Sequence, residues 1–454
     1  MRTDAPTGCF DEVVAPFTPQ EARDEASRCY YCYDAPCIHG CPTAINIPVF
    51  IRQIGEGDLA AASRTILDAN ILGATCARIC PTEALCEGSC VRNEDSHAVA
   101  IGRLQRVATD FAMARSALPL TLPPKARQVS GRVAIVGGGP AALGAAAELR
   151  RHGCSADIYE AQPSLGGLDT YGIVSYREPL PVSTWETGLV LQLGAVAHLN
   201  TRVGQDIDWR DLEQTYDALI IATGLGQVPH LNIPGEQLAG VWDALELIAL
   251  TKKGHLDDID LGARVAVIGA GNTAIDAATC AKRLGAERVS ILYRRGEAAM
   301  PAYSYEYAFA KQDGIVFEWW AQAVEIVGQH HVEALRCQRT VPLFGHADDR
   351  AAPVSIQDDV EWLMPVDTVI RAIGQIKPPG PWDALQLAHH GSVPRVDPDT
   401  CETSVPGIYA IGDCLAPPGE ATVVNAVAQG KKAATAIVNT LWKTQHMADR
   451  GKEE

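Results

Sequence analysis

At 454 residues, with 47 % hydrophobic and 20 % charged side chains, the chain has the makeup of an ordinary soluble globular protein with room for two or three buried cores. A formal net charge of −17 argues against nucleic acid, which demands basic patches, and against an anionic membrane surface. No run of about eighteen apolar residues is present, and the opening MRTDAPTGCFDEV is no signal peptide, so a cytoplasmic location is expected.

The first 118 residues contain no lysine and hold most of the cysteines: eight of the 14 lie between Cys29 and Cys90. They fall into two groups, Cys29-x2-Cys32-x4-Cys37-x3-Cys41-Pro42 and Cys76-x3-Cys80-Pro81-x4-Cys86-x3-Cys90. Thiolate is the soft ligand that iron–sulfur clusters require, and short spacings let loop sulfurs converge on one cube. Structural zinc is the alternative reading of such cysteine pairs. The surrounding sequence reads as short helices, among them the periodic segment Pro48–Asp68, joined by Cys/Pro/Gly loops. Leu118–Gly131, rich in proline and polar residues, reads as a linker.

Alternating strand and helix follow. RVAIVGGGPAALGAAAELRRHG is an apolar strand, a glycine turn (Gly137, Gly139, Ala142) and an alanine-rich helix; the next strand ends on Glu160. Such a turn brings backbone close to a pyrophosphate at a helix amino terminus, and the acid is placed for an adenosine ribose. A near copy begins at Arg264, with Gly269, Gly271 and Ala274 at its turn, but its second strand ends in Arg294-Arg295. Guanidinium there suits a ribose 2′-phosphate, favouring NADPH over NADH; a solvated surface pair is the alternative. Two such βαβ openings imply tandem nucleotide-binding folds. The last stretch holds the strand GIYAIGD and a helix from about Thr422 to Leu441.

The order of GGGPAALG, Gly166-Gly167, IIATG, GAGNTA and GIYAIGD resembles the two-dinucleotide-binding-domain flavoprotein reductases. That resemblance implies FAD on the first fold and NADH or NADPH on the second. Gly166, Gly167, Thr223 and Gly224 would lie about the flavin nucleotide, and Gly412 and Asp413 about the ribityl chain. Thr422 and Val423 would open a helix aimed at the flavin ring, and Asn272 would belong to the nicotinamide turn. No CxxC or CxxxxC pair follows Cys90; Cys154, Cys280, Cys337, Cys401 and Cys414 stand alone. Electrons would leave through the amino-terminal clusters instead of a redox disulfide.

With its cysteine-rich front domain the chain is similar to the small subunit of bacterial glutamate synthase and to the electron-input half of dihydropyrimidine dehydrogenase. The resemblance implies two [4Fe-4S] clusters, one on Cys29, Cys32, Cys37 and Cys80, the other on Cys41, Cys86, Cys90 and Gln105 of Ile101-Gly102-Arg103-Leu104-Gln105. Cys76 would then be a buried free thiol. Gln105 favours the pyrimidine relatives, so the expected partner is an FMN-containing subunit that reduces uracil or thymine. The small subunit of NADPH-dependent glutamate synthase is the alternative, and a zinc-stabilised assembly protein the alternative from another class. Gly172-Ile173-Val174 departs from the Gly-Ile-Pro common in the family, and no residue reads as catalytic toward a pyrimidine. The expected architecture is α/β: two tandem Rossmann-like domains behind an all-α iron–sulfur domain. Its boundaries are 1–118 for the clusters, 119–262 and 377–454 for FAD, and 263–376 for NAD(P).

Overall fold

The computed structural model describes residues 10–115, 119–121, 128–342, 354–378, 380–415 and 421–450. Half of the expected linker Leu118–Gly131, with the boundary at 118, lies outside these residues. Along the cluster region run α1 (Pro19–Ser27), α2 (Pro36–His39), α3 (Ile47–Gly55), α4 (Leu59–Ala69), α5 (Gly73–Ile79) and α6 (Ile101–Met113). Thr18 and Glu21 form a capping box at α1, and Asn46 and Asp58 cap α3 and α4 through their side chains. The periodic segment Pro48–Asp68 is thus two helices, broken where Gly57 takes φ +84° just past the end of α3. Phe50, Ile51, Ile54, Ile66 and Leu104 close a core among these helices.

The first nucleotide fold follows: β1 (Arg132–Val136), α7 (Pro140–Arg151), β2 (Ser155–Tyr159), α8 (Leu168–Tyr171), α9 (Leu180–Gln192), β3 (Val196–His198), α10 (Trp209–Thr215) and β4 (Ala218–Ile221). The second comprises β5 (Val241–Asp243), α11 (Ala244–Lys252), β6 (Arg264–Ile268), α12 (Asn272–Arg283), β7 (Arg288–Tyr293), α13 (Ser304–Gln312) and β8 (Val316–Trp319). It continues through β9 (Ala321–Val327), β10 (Ala334–Pro342), β11 (Val354–Pro365) and β12 (Thr368–Arg371). The chain then returns through β13 (His389–His390), β14 (Val393–Pro394), β15 (Ile408–Ala410) and α14 (Val423–Arg450). That last helix runs nine residues beyond the expected Leu441.

The chain forms two compact units. One holds residues 13–170, 180–225 and 377–454: the cluster helices together with a parallel sheet of order β15-β4-β1-β2-β3. The continuous apolar runs of β1 and β4 suit central strands covered on both faces. The other holds 10–12, 171–179 and 226–376, with a parallel sheet of order β5-β12-β6-β7-β8 and the antiparallel sheet β11-β10-β9. This moves the boundary expected at 262/263. Strand β5 pairs with β12 in the register Val241↔Val369, so β5 and α11 belong to the nucleotide fold. Three residues, VWD, are too few to announce that pairing in the sequence.

Candidate functional site

Seven of the eight thiols between Cys29 and Cys90 gather in two sets. Burial pushes the Cys37 thiol up to about 12, and the thiols that face it are Cys29, Cys90 and Cys32. Burial also raises Cys29, against a donor N–H from Tyr31, with Cys32 and Cys90 beside it. Cys86 is raised by burial and then by Glu87, with Cys41 and Cys80 as its thiol neighbours. The first set is therefore Cys29, Cys32, Cys37 and Cys90; the second is Cys41, Cys80 and Cys86.

This exchanges Cys80 and Cys90 relative to the expected grouping, for a local steric reason. Gly40 lies so close to the 85–89 turn that a β-carbon would stand 2.6 Å from Ser89 Oγ and 2.9 Å from the Leu85 carbonyl. The turn carrying Cys86 and Cys90 thus sits directly on the end of α2, with Cys37 before Gly40 and Cys41 after it. Cys80, which caps α5 by donating its N–H to the Cys76 carbonyl, faces the Cys41 side.

A space partly open to solvent is lined by Cys41, Cys80, Cys86, Gln105, Cys76 and Val424, among others. Gln105 is 6 % exposed, and its Nε2 donates to the Gly73 carbonyl at 2.7 Å. With the amide nitrogen so held, the acceptor oxygen is the atom left for a metal. Three thiols and one amide oxygen are a donor set that fits a [4Fe-4S] cube. Cys76, expected to stand apart from any cluster, lines the same space. Its sulfur accepts from Asn70 Nδ2 at 3.2 Å, and its hydrogen bond with Cys80, then burial, push the thiol well up. Among the described residues, no three His, Cys, Asp or Glu side chains draw together as a single-ion site requires.

In the flavin half, Gly137 has φ +106°, and a β-carbon there would lie 2.2 Å from the Ala222 carbonyl. Only glycine fits such a turn. Gly139 caps α7, and Ala142 is fully buried in it. Gly166 and Gly167 also take positive φ, and a β-carbon on Gly167 would stand 2.8 Å from Gly139 Cα, so the two glycine turns are apposed. This bare backbone cradle suits a pyrophosphate. Glu160 accepts from Gly138 N–H and from Gln162 N–H, each at 2.7 Å, while burial raises its pKa. Thr223 and Gly224, the latter at φ +59°, follow β4. Gly412, at φ +79°, donates to Gln429 Oε1 at 2.7 Å. Burial pushes Asp413 up to about 6, with Lys377 opposing. Thr422 Oγ1 accepts from Asn425 N–H at 3.3 Å; Val423 opens α14, and Val424 lines the second thiol set. One helix end therefore joins the flavin fold to that set.

The nucleotide unit repeats the turn. A β-carbon at Gly269, φ +121°, would meet the Ala372 carbonyl at 2.1 Å; Gly271 caps α12, and Ala274 is buried. Asn272 Oδ1 accepts from Tyr303 N–H at 3.1 Å. The arginine pair divides. Arg294 is exposed, whereas Arg295 is 9 % exposed. Arg294 thus presents its side chain to solvent, while Arg295 is largely withdrawn from it. Within the same unit the strap Tyr171–Pro179 is tied down by charge: Arg177 meets Glu306 at 2.7 Å and Asp276 at 3.4 Å. Glu178 meets Lys252 at 2.7 Å with both side chains fully buried. Val174 is buried and turns the chain by accepting from Arg177 and Glu178 N–H at 3.1 Å each.

Residues 131–430 match the family described as pyridine nucleotide-disulphide oxidoreductase. The chain belongs to that family. Residues 7–117 match dihydropyrimidine dehydrogenase domain II, 4Fe-4S cluster. This oxidoreductase is an NAD(P)H-dependent flavoprotein with a [4Fe-4S] domain, and FAD and NAD(P)H are its nucleotides. It is 34 % identical over 449 residues to the glutamate synthase [NADPH] small chain of Escherichia coli, covering 95 % of this chain and 94 % of that one. It is 32 % identical over 432 residues to the NAD-dependent dihydropyrimidine dehydrogenase subunit PreT of Salmonella typhimurium, covering 94 % and 96 %. Against the putative oxidoreductase AegA of E. coli the figures are 35 % over 454 residues, 95 % and 67 %. Its fold is like that of Mycobacterium tuberculosis FprA in complex with NADPH, at TM-score 0.55 and 22 % identity over 71 % of this chain and 86 % of that. No helix among the described residues is long and apolar enough to cross a membrane.

Sequence reasoning missed three parts of the oxidoreductase's site. Gly40 sets which thiols meet, Gly73 holds Gln105, and Glu186 of α9 reaches the amino terminus of α5. Gly40 stood between two cysteines and was legible as a place for close approach. Glu186 lies in no motif.

Proposed function

We propose that this oxidoreductase is the electron-input subunit of a dihydropyrimidine dehydrogenase, drawing electrons from NAD(P)H for a partner FMN subunit that reduces uracil or thymine. Bound FAD supplies hydride acceptance, and two [4Fe-4S] clusters supply one-electron transfer. The chain's own part is to hold them in line. Gly137, Gly139, Gly166 and Gly167 seat the flavin pyrophosphate, Glu160 the adenosine ribose and Asp413 the ribityl hydroxyls; Thr422 and Val423 open the helix that leads to the second thiol set. Cys41, Cys80, Cys86 and Gln105 hold the cluster beside the flavin fold, and Cys29, Cys32, Cys37 and Cys90 hold the outer one. Gly269, Gly271, Asn272 and Ala274 seat the nicotinamide nucleotide, and Arg294 its 2′-phosphate.

Gln105 supports the choice of partner: its buried amide, anchored to Gly73, lines the same space as Cys41, Cys80 and Cys86, where the resemblance to the pyrimidine enzymes implies a glutamine ligand. A second reading, the small subunit of glutamate synthase, has the 34 % identity to that chain in its favour. Purified with each candidate partner, the protein is expected to oxidise NAD(P)H in the presence of uracil or thymine. Oxidation only with 2-oxoglutarate, glutamine and a large amidotransferase would select the second reading.

A further inference from the structure

The helix that ends in Cys80 is held at its start by the flavin half. Glu186, on α9, is fully buried. Its Oε1 accepts from Ala74 N–H at 2.6 Å and from Thr75 N–H at 3.2 Å, and its Oε2 accepts from Thr75 Oγ–H at 2.6 Å. These partners are donors, an arrangement that an ionised carboxylate satisfies. They occupy the first turn of α5, where helix N–H groups have no partner within the helix. Gly73, which begins that turn, gives its carbonyl to Gln105, and the far end of α5 is Cys80. One carboxylate from the flavin fold therefore braces both an amide and a thiol of the second set.

We infer that Glu186 is a positioning residue for the second cluster, fixing Cys80 and Gln105 through α5 and holding down that cluster's reduction potential with its buried charge. Net charge and hydrogen bonding around a cluster are what set its potential. Burial strengthens the effect, because little solvent screens the carboxylate. Thr75 opposes it: its hydroxyl donates to the carboxylate and spreads the negative charge. Glu186 and Thr75 thus act on the cluster with opposite signs, which a merely structural pair does not do.

The test is an EPR-monitored redox titration of the flavin- and iron-loaded protein. Glu186→Gln, of the same shape without the charge, is expected to keep its iron and shift the midpoint of one cluster upward, leaving the other in place. Thr75→Val, which keeps the charge and removes a donor, is expected to shift the same midpoint downward. Bleaching of the flavin by NAD(P)H should proceed at the wild-type rate in both. Midpoints unmoved in both variants, or moved the same way, would overturn the inference. The inference rests on the cluster assignment above. Wild-type protein with iron for only one cluster would remove that assignment, whereas two clusters indifferent to both substitutions would remove the role of Glu186 alone.

Discussion

The two thiol sets are built from one short stretch of chain but differ in what surrounds them. The first is local: its sulfurs come from the loops around α2 and the 85–90 turn, and Tyr30 and Tyr33 between its cysteines are exposed, Tyr33 fully. The second is shared. Its space is walled partly by Val424, and the chain just before it is gripped by the flavin half, with Lys431 Nζ donating to the Ala69 carbonyl at 2.6 Å and Arg151 to the Asp68 carbonyl at 3.0 Å. One set thus lies by exposed tyrosines and the other against the first nucleotide fold. The difference arises from packing, not from ligand type alone.

Gly40 lies between the two sets, against the turn that carries Cys86 and Cys90, so its replacement should do the most damage. Gly40→Ala places a methyl against Ser89 and the Leu85 carbonyl, which must move apart. The expected result is loss of iron from both clusters in a protein that still binds FAD, measured by iron and flavin content per chain. Gln105→Ala should separate the sets, removing about half the iron while NAD(P)H still bleaches the flavin. Full iron in that variant would show that Cys76, across the same space, is the real fourth ligand. Lys431→Met weakens only the grip on the second set. Losing a charge-assisted hydrogen bond should cost about 1.5–3 kcal/mol, read from chemical denaturation, and a chelator should strip the second cluster first. The nucleotide unit is the control. Arg294→Ala should weaken NADPH by roughly ten- to a hundredfold and NADH little, with both clusters unchanged. Arg295→Ala should instead lower stability without changing the nucleotide preference, since that side chain is buried.

Much of this was legible in the sequence where the determinant is local. Gly137 and Gly269 mark turns that need positive φ with a carbonyl of another strand close by, and the strand, turn and helix around each announce themselves. The presence of two nucleotide-binding folds followed from such motifs. What stayed hidden depends on contacts between distant segments. The exchange of Cys80 and Cys90 comes from how the 85–90 turn rests on Gly40, which spacing alone does not encode. Strand β5 is recognised by its pairing with β12 more than a hundred residues later. The strap at Tyr171–Pro179 reads as loop, yet carries the Glu178–Lys252 pair with both ends out of solvent. Breaking such a pair costs about 3–5 kcal/mol, so it fixes the strap firmly without leaving a motif. Arg294 and Arg295, adjacent and chemically alike, differ in burial in the bend that follows β7, which composition alone does not reveal.

The pairing of thiols is the claim on which the electron path depends, and the EPR spectrum of the surviving cluster tests it. Cys80→Ser, Cys41→Ser and Cys37→Ser each remove a ligand from one set. The structure predicts that Cys80→Ser and Cys41→Ser leave the same signal, that of the outer cluster, and that Cys37→Ser leaves the other. A Cys80→Ser spectrum matching that of Cys37→Ser would contradict it.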